Sequence, residues 1–258
     1  MIKLKTKEEI AILLAGGQIL GAILNALAKM VAPGITTLEL EEEALNLIKK
    51  AGGSPAFKGY KAARDARPFP SALCTSINNE IVHGPAVPAR YLKNGDIIGL
   101  DIGMRYQNLY TDTALTIGVG DVSVQAQKLI AVTEECLNLA IKQVRPGNSL
   151  LDIARAVEIN AEANHFSVVR ELVGHGVGHA VHEDPQVPNY DSGEDLDKII
   201  LQPGLVIAIE PMLATGSWQI QSGADGFSFV TADKGLAAHF EHTIAVTEDG
   251  HIIITQAA

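Results

Sequence analysis

The feature that most constrains this chain is that it reads twice. The segment "MVAPGITTLELEEEALNLIKKAGG" from Met30 and the segment "QVRPGNSLLDIARAVEINAEANHF" from Gln143 share one order of residue classes: Val, a variable residue, Pro-Gly, a hydroxyl residue, then an acid opening a helical pattern. Pro33 and Pro146, Gly34 and Gly147, Thr36 and Ser149, and Glu39 and Asp152 pair at a single offset. A hydroxyl residue with an acid three positions on predicts a capping box and a helix start in both places. The same offset carried backward sets "KEEIAILLAGGQILGAILNALAKM" opposite the amphipathic "SVQAQKLIAVTEECLNLAIKQ". The first of these has the basic start and apolar run of a signal peptide, but Glu8 and Glu9 precede the run and Gln18 and Asn25 interrupt it. It is read as a packed structural helix.

The later parts correspond as well. "NGDIIGLDIG" matches "QPGLVIAIEP", and "YTDTALTIGVG" matches "FEHTIAVTEDG", all short β-branched runs following turn residues. The expected order is helix, helix, strands, repeated once: an α+β architecture with pseudo-twofold symmetry rather than alternating βαβ units. Residues 1–258 are read as one domain whose halves, about 1–120 and 121–258, share a sheet and a core.

Composition narrows the function. A net charge of −10 argues against stable binding to nucleic acid or to an anionic membrane surface. Two cysteines, Cys74 and Cys136, cannot make a disulfide framework, so a reducing cytoplasm is expected.

The correspondence places Asp101 opposite Glu210 and Asp112 opposite Glu241, four acids expected on strands among apolar residues. Buried unpaired carboxylates are costly, so something positive should meet them. No basic residue recurs beside all four, which favours a metal over a set of structural salt bridges. Nearby, "GHGVGHAVHEDPQV" holds His175, His179 and His182. Helical spacing would unite them, but Gly174, Gly176 and Gly178 disfavour a helix. In an extended segment His175 and His179 would share a face, with His182 on the other side or beyond a bend. Two Asp, two Glu and a His suit Co, Mn, Fe, Ni or Zn better than calcium, and they exceed the ligands of one catalytic zinc; two divalent metal ions are implied.

"NNEIVHGPA", "GLDIG", "YTDTA", "GHGVGHAVHEDPQVPNY", "IEPML" and "FEHTIAVTEDG", taken in order, resemble the type I methionine aminopeptidases of the pita-bread fold over nearly the whole chain. The resemblance implies that Asp101, Asp112, His175, Glu210 and Glu241 hold the two metals, with Asp112 and Glu241 bridging. It implies metal-assisted peptide hydrolysis, with Glu210 as general base, His182 near the scissile carbonyl and His83 at the scissile nitrogen. Tyr60, Phe69, Cys74, His83 and Phe227 would line an adaptable methionine pocket. His179 stands where the family tolerates other residues and is expected to be neither ligand nor substrate contact. The implied substrates are N-terminal peptides of nascent proteins with a small second residue, met by a monomeric enzyme.

Three departures bear on the pocket. Phe227 stands in "DGFSF" where the family frequently has Trp, Val181 precedes His182 where Phe is often found, and "FKGYKAARDARPFPSALC" carries extra residues before Cys74. That insertion holds Lys58, Lys61, Arg64 and Arg67, either a cluster steering toward ribosomal RNA in a transient ribosome contact or a solvated loop. Two rivals share the fold. Xaa-Pro peptidases usually carry a further N-terminal domain, and a catalytically silent binding protein should have lost ligands that are all present here.

Overall fold

A computed structural model describes residues 2–61, 67–193 and 195–257; Arg64 of the insertion lies outside the described residues. Helices α1 (Lys7–Met30) and α2 (Thr37–Lys50) precede strands β1 (Ser54–Pro55), β2 (Leu73–Ile77), β3 (Glu80–Val82), β4 (Ile97–Tyr106) and β5 (Leu109–Gly118). Helices α3 (Val124–Lys142) and α4 (Leu150–Ala163) then precede β6 (Ser167–Val168), β7 (Gly174–Gly176), β8 (Glu183–Val187), β9 (Val206–Ile209) and β10 (Met212–Ala214). The chain ends with β11 (Ile220–Ser222), β12 (Phe229–Thr231), β13 (Ala237–His239), β14 (Glu241–Thr247) and β15 (Gly250–Ile253).

Helices α2 and α4 start alike. The Thr36 amide donates to Glu39 at 2.8 Å and the Ser149 amide to Asp152 at 2.7 Å. Just upstream, Gly34 and Gly147 turn at φ +95° and +90°, left-handed values that glycine adopts without steric cost.

The main sheet is antiparallel, in the order β1, β4, β5, β14, β9, β7, β8, with β2 also paired to β4 and β15 to β14. The pairing of β5 with β14 joins strands from the two halves of the chain. Along β4, Ile98, Leu100, Ile102 and Met104 are completely buried and meet Leu20, Leu24, Leu27 and Leu40 of α1 and α2. Along β9 and β14, Ile207, Ile209, Ile244 and Val246 meet Leu129, Cys136, Ile153 and Val157 of α3 and α4. Each such side chain contributes about 2 kcal/mol by leaving water. Because side chains alternate along a strand, the residues between them face the opposite side of the sheet.

By length and composition α1 could cross a membrane. In the fold, its Gly17 and Gly21 lie so close to the backbone of Ile254 and Thr255 that a Cβ at either position would collide, and its Leu20 and Leu27 are fully buried.

Candidate metal centre and active-site cavity

Strand register assembles the acids. Asp101 on β4 and Glu241 on β14 stand opposite the same residue of β5, Ala114, one on each side of it. Asp112 lies two residues from Ala114 on β5 and therefore shares its face. His175 on β7 stands opposite Ala208 on β9, two residues from Glu210. All five expected ligands thus face one side of the sheet. Glu210 departs from the expectation that every acid sits on a strand: it occupies the break between β9 and β10. Pro211 follows it and has no amide hydrogen to continue the ladder.

The histidine segment also departs from the extended reading. Strand β7 ends at Gly176, and Gly178 turns the chain at φ +138°. His175 and His179 consequently do not share a face. His182 folds back so that its ring centroid lies 4.5 Å from that of His175, and its Nδ1 lies 3.0 Å from the Tyr60 hydroxyl. His179 points elsewhere, with Nε2 2.7 Å from Glu9 of α1.

The electrostatics of the acids test whether a cation fits. Burial, together with the charge of Glu210, pushes the Asp101 carboxyl up to about 6, although His239 pulls the other way. Burial and then the charges of the neighbouring acids drive Asp112 and Glu241 well above the usual carboxylate range. Asp101 Oδ1, Asp112 Oδ1 and Glu241 Oε1 are buried with no hydrogen-bond donor. Mutually repelling, donorless carboxylate oxygens are what a divalent cation would neutralise. Asp112, His175 and Glu241 each offer a ligand atom, all within 4.8 Å of one another. The His175 Nδ1 lies 2.9 Å from the Gly176 carbonyl, which assigns the proton to Nδ1 and leaves the Nε2 lone pair for a metal. These residues fit divalent metal binding.

Glu210 is set apart from the other acids. Burial raises its carboxyl, but the His239 contact and the imidazoles of His175, His239 and His182 outweigh that and hold it below its ordinary value. His175 Nε2 approaches one of its oxygens at 3.4 Å and His239 Nε2 the other at 3.5 Å. His239 was not among the sequence-derived residues. At 3.5 Å its Nε2 is at the outer limit of a hydrogen bond, and it is buried with no other partner. The signal was present in "HFEH", where His239 precedes Glu241 by one strand period.

Every expected site residue lines one cavity of about 680 Å³: Tyr60, Phe69, Cys74, His83, Asp101, Asp112, His175, His182, Glu210, Phe227 and Glu241. Cys74 stands opposite Asp101 in register. Burial and the adjacent Asp101 and Asp112 charges push its thiol far up, so it is a neutral, compact piece of wall. His83 sits at φ +59°, a left-handed conformation that costs an L-residue roughly 1 kcal/mol or more. Its ring packs edge-on against Phe229 at 5.8 Å. Phe69 and Phe227 meet edge to face at 5.5 Å, and the Arg67 guanidinium covers Phe227 at 4.3 Å. His182 opens to the cavity, yet the surrounding walls and the neighbouring His175 push its imidazole down to about 4, leaving it neutral. Of the departures noted in the sequence, Phe227 forms the wall, whereas Val181 is buried outside the lining. In the basic insertion, Lys58 is ion-paired with Glu41 at 3.2 Å and Arg67 is engaged at the cavity mouth.

The sheet, the acids and the open histidine define a metallopeptidase: the chain belongs to metallopeptidase family M24, whose pattern matches residues 11–248. Within that family its full-length relatives are methionine aminopeptidases. The chain is 44% identical over 256 residues to the methionine aminopeptidase of Clostridium perfringens, covering 99% of each. The crystal structure of a methionine aminopeptidase from Thermotoga maritima superposes with a TM-score of 0.93 at 39% identity, over 99% of this chain and 100% of that one. A prolidase from Pyrococcus horikoshii shares the fold alone, with a TM-score of 0.77 at 21% identity, and this chain covers only 64% of it. The fold is the pita-bread fold.

Proposed function

We propose that this protein is a metallo-aminopeptidase that removes the initiator methionine from newly made proteins, favouring a small second residue. The observation that carries the reading is the convergence of all eleven expected residues on one cavity. The names of the relatives support it, and they do not favour an Xaa-Pro peptidase or a silent binding protein.

In this reading Asp101, Asp112, His175, Glu210 and Glu241 would hold two divalent ions drawn from Co, Mn, Fe, Ni and Zn. Such ions supply Lewis acidity and make water a competent nucleophile at neutral pH. Glu210, kept ionised by its flanking imidazoles, accepts the proton of the attacking water. The Tyr60 hydroxyl lies 3.0 Å from His182 Nδ1; as the donor there it would leave the proton of neutral His182 on Nε2, for donation toward the developing oxyanion. His83 meets the scissile nitrogen, and Phe69, Cys74 and Phe227 enclose the thioether side chain. Acids from both halves of the chain enter one site, which supports treating residues 1–258 as one catalytic domain. A monomer in the cytoplasm, meeting nascent chains in transient contact with the ribosome, completes the proposal.

The test uses metal-stripped protein supplied with Mn or Co and offered Met-Ala-Ser or an Ala-Pro peptide. Release of methionine from the first is expected. Absence of cleavage at every metal concentration would overturn the reading, and preference for the second would replace it with an Xaa-Pro peptidase.

A further inference from the structure

One buried ion pair beside the cavity takes no part in the chemistry above. Lys5, just before α1, places Nζ 2.7 Å from Glu183 Oε2, with the two side chains only 1% and 10% exposed. Glu183 directly follows His182 and begins β8. Its other oxygen, Oε1, accepts the amide hydrogen of Ala180 at 2.7 Å. One carboxylate therefore closes the turn of residues 180–183, which contains His182, and ties that turn to Lys5.

Lys5 is itself fixed. Its amide donates to the Gly204 carbonyl at 2.7 Å, and its ammonium also reaches the Lys3 carbonyl at 3.2 Å. Its Cε crosses Gly178 so closely that a Cβ there would lie 2.5 Å away. The residue 178 carbonyl in turn accepts the Tyr110 amide on β5 at 2.8 Å. The histidine turn is thus gripped between the sheet and the segment preceding α1. A second link, His179 to Glu9, joins the same two regions, but its side chains are 34% and 30% exposed, and exposed pairs contribute little. The buried pair is the stronger constraint, because removing its cation would leave the Glu183 carboxylate uncompensated and drive it toward water, carrying the turn with it.

We propose that Lys5 is a positioning residue for His182, acting through the Glu183 carboxylate that closes the 180–183 turn. The kinetic part rests on the function proposed above. Small displacements of a catalytic group cost much rate with little effect on ground-state binding. Lys5→Met should therefore lower kcat on Met-Ala-Ser roughly ten- to a hundredfold and leave KM within about twofold. In a His182→Ala background the same substitution should cause no further loss, because both changes remove one contribution. A loss of equal size in that background, or an unchanged kcat in the otherwise normal enzyme, overturns the proposal. Hydrogen exchange supplies a readout free of activity: amides of residues 178–183 should exchange faster in Lys5→Met while those of β4 and β5 do not, and unchanged exchange at 178–183 also overturns it. If the unmodified enzyme cleaves no methionyl peptide, the functional reading fails and the exchange measurement still decides the tether. Should Lys5→Met not fold, Glu183→Gln, which keeps an acceptor for Ala180 but removes the charge, is read in the same way.

Discussion

The floor of the cavity is made by paired strands, while its outer wall is made by loops. Asp101, Asp112 and Glu241 hang from β4, β5 and β14, whose ladders dictate which side chains stand together. Tyr60, Arg67, Phe227 and His182 belong to no strand and meet one another through side-chain contacts, hydroxyl on imidazole and guanidinium on ring. The floor also stores repulsion between buried acids, whereas the wall is held by aromatic, cation–π and hydrogen-bonded contacts. A floor of this kind needs a cation, whereas in the wall the aromatic side chains can be adjusted more freely than His182, which carries part of the proposed chemistry.

Breaking the floor should have the largest effect. Asp112→Asn removes one of the buried carboxylates proposed to hold metal and is expected to lower kcat/KM roughly a thousandfold or more, read with Met-Ala-Ser at saturating metal. On the wall, His182→Ala should lose about a hundredfold or more in kcat, whereas His179→Ala, whose partner is the exposed Glu9, should stay within about twofold. Equal losses would erase the distinction between the two histidines.

Metal removal separates floor from wall by pH. The floor acids titrate above their unfolded values, so the folded, metal-stripped protein binds their protons more tightly than the unfolded chain does. That contribution to stability is complete below about pH 4, the unfolded value, and is lost as pH rises through about 6 for Asp101 and through the raised values of its neighbours. The melting temperature of metal-stripped Asp112→Asn should therefore exceed that of the metal-stripped unmodified protein by a margin that widens from pH 4 to 7.5. Added Mn or Co should narrow it. A margin independent of pH would show that the acids are not the source. The smallest effect belongs to the rim: Arg67→Ala should raise KM for methionyl peptides about two- to fivefold with kcat unchanged, the size of an exposed cation–π contact.

The same division explains what could be read in the chain before its fold was seen. The acids were legible because strands of period two, repeated in two halves, leave only a few ways to face a common side. Helix starts were legible because a capping box is written within four residues. Glu210 could be placed near the site but not on its break, since that depends on Pro211 interrupting the ladder. The course of the histidine turn was not legible, because it follows from Gly178 and from Lys5, more than 170 residues earlier, closing on Glu183. His239 was legible in principle from its spacing to Glu241, and was hidden because its importance arises only when Glu210 arrives from another strand.

Ala114 is flanked by Asp101 on one side and Glu241 on the other, and is itself buried. The seam between the two halves of the chain is therefore occupied, between these two acids, by a single methyl group. Smallness here is as much a requirement as charge: a branched or longer side chain at this position would crowd the two carboxylates that the ladder sets on either side of it.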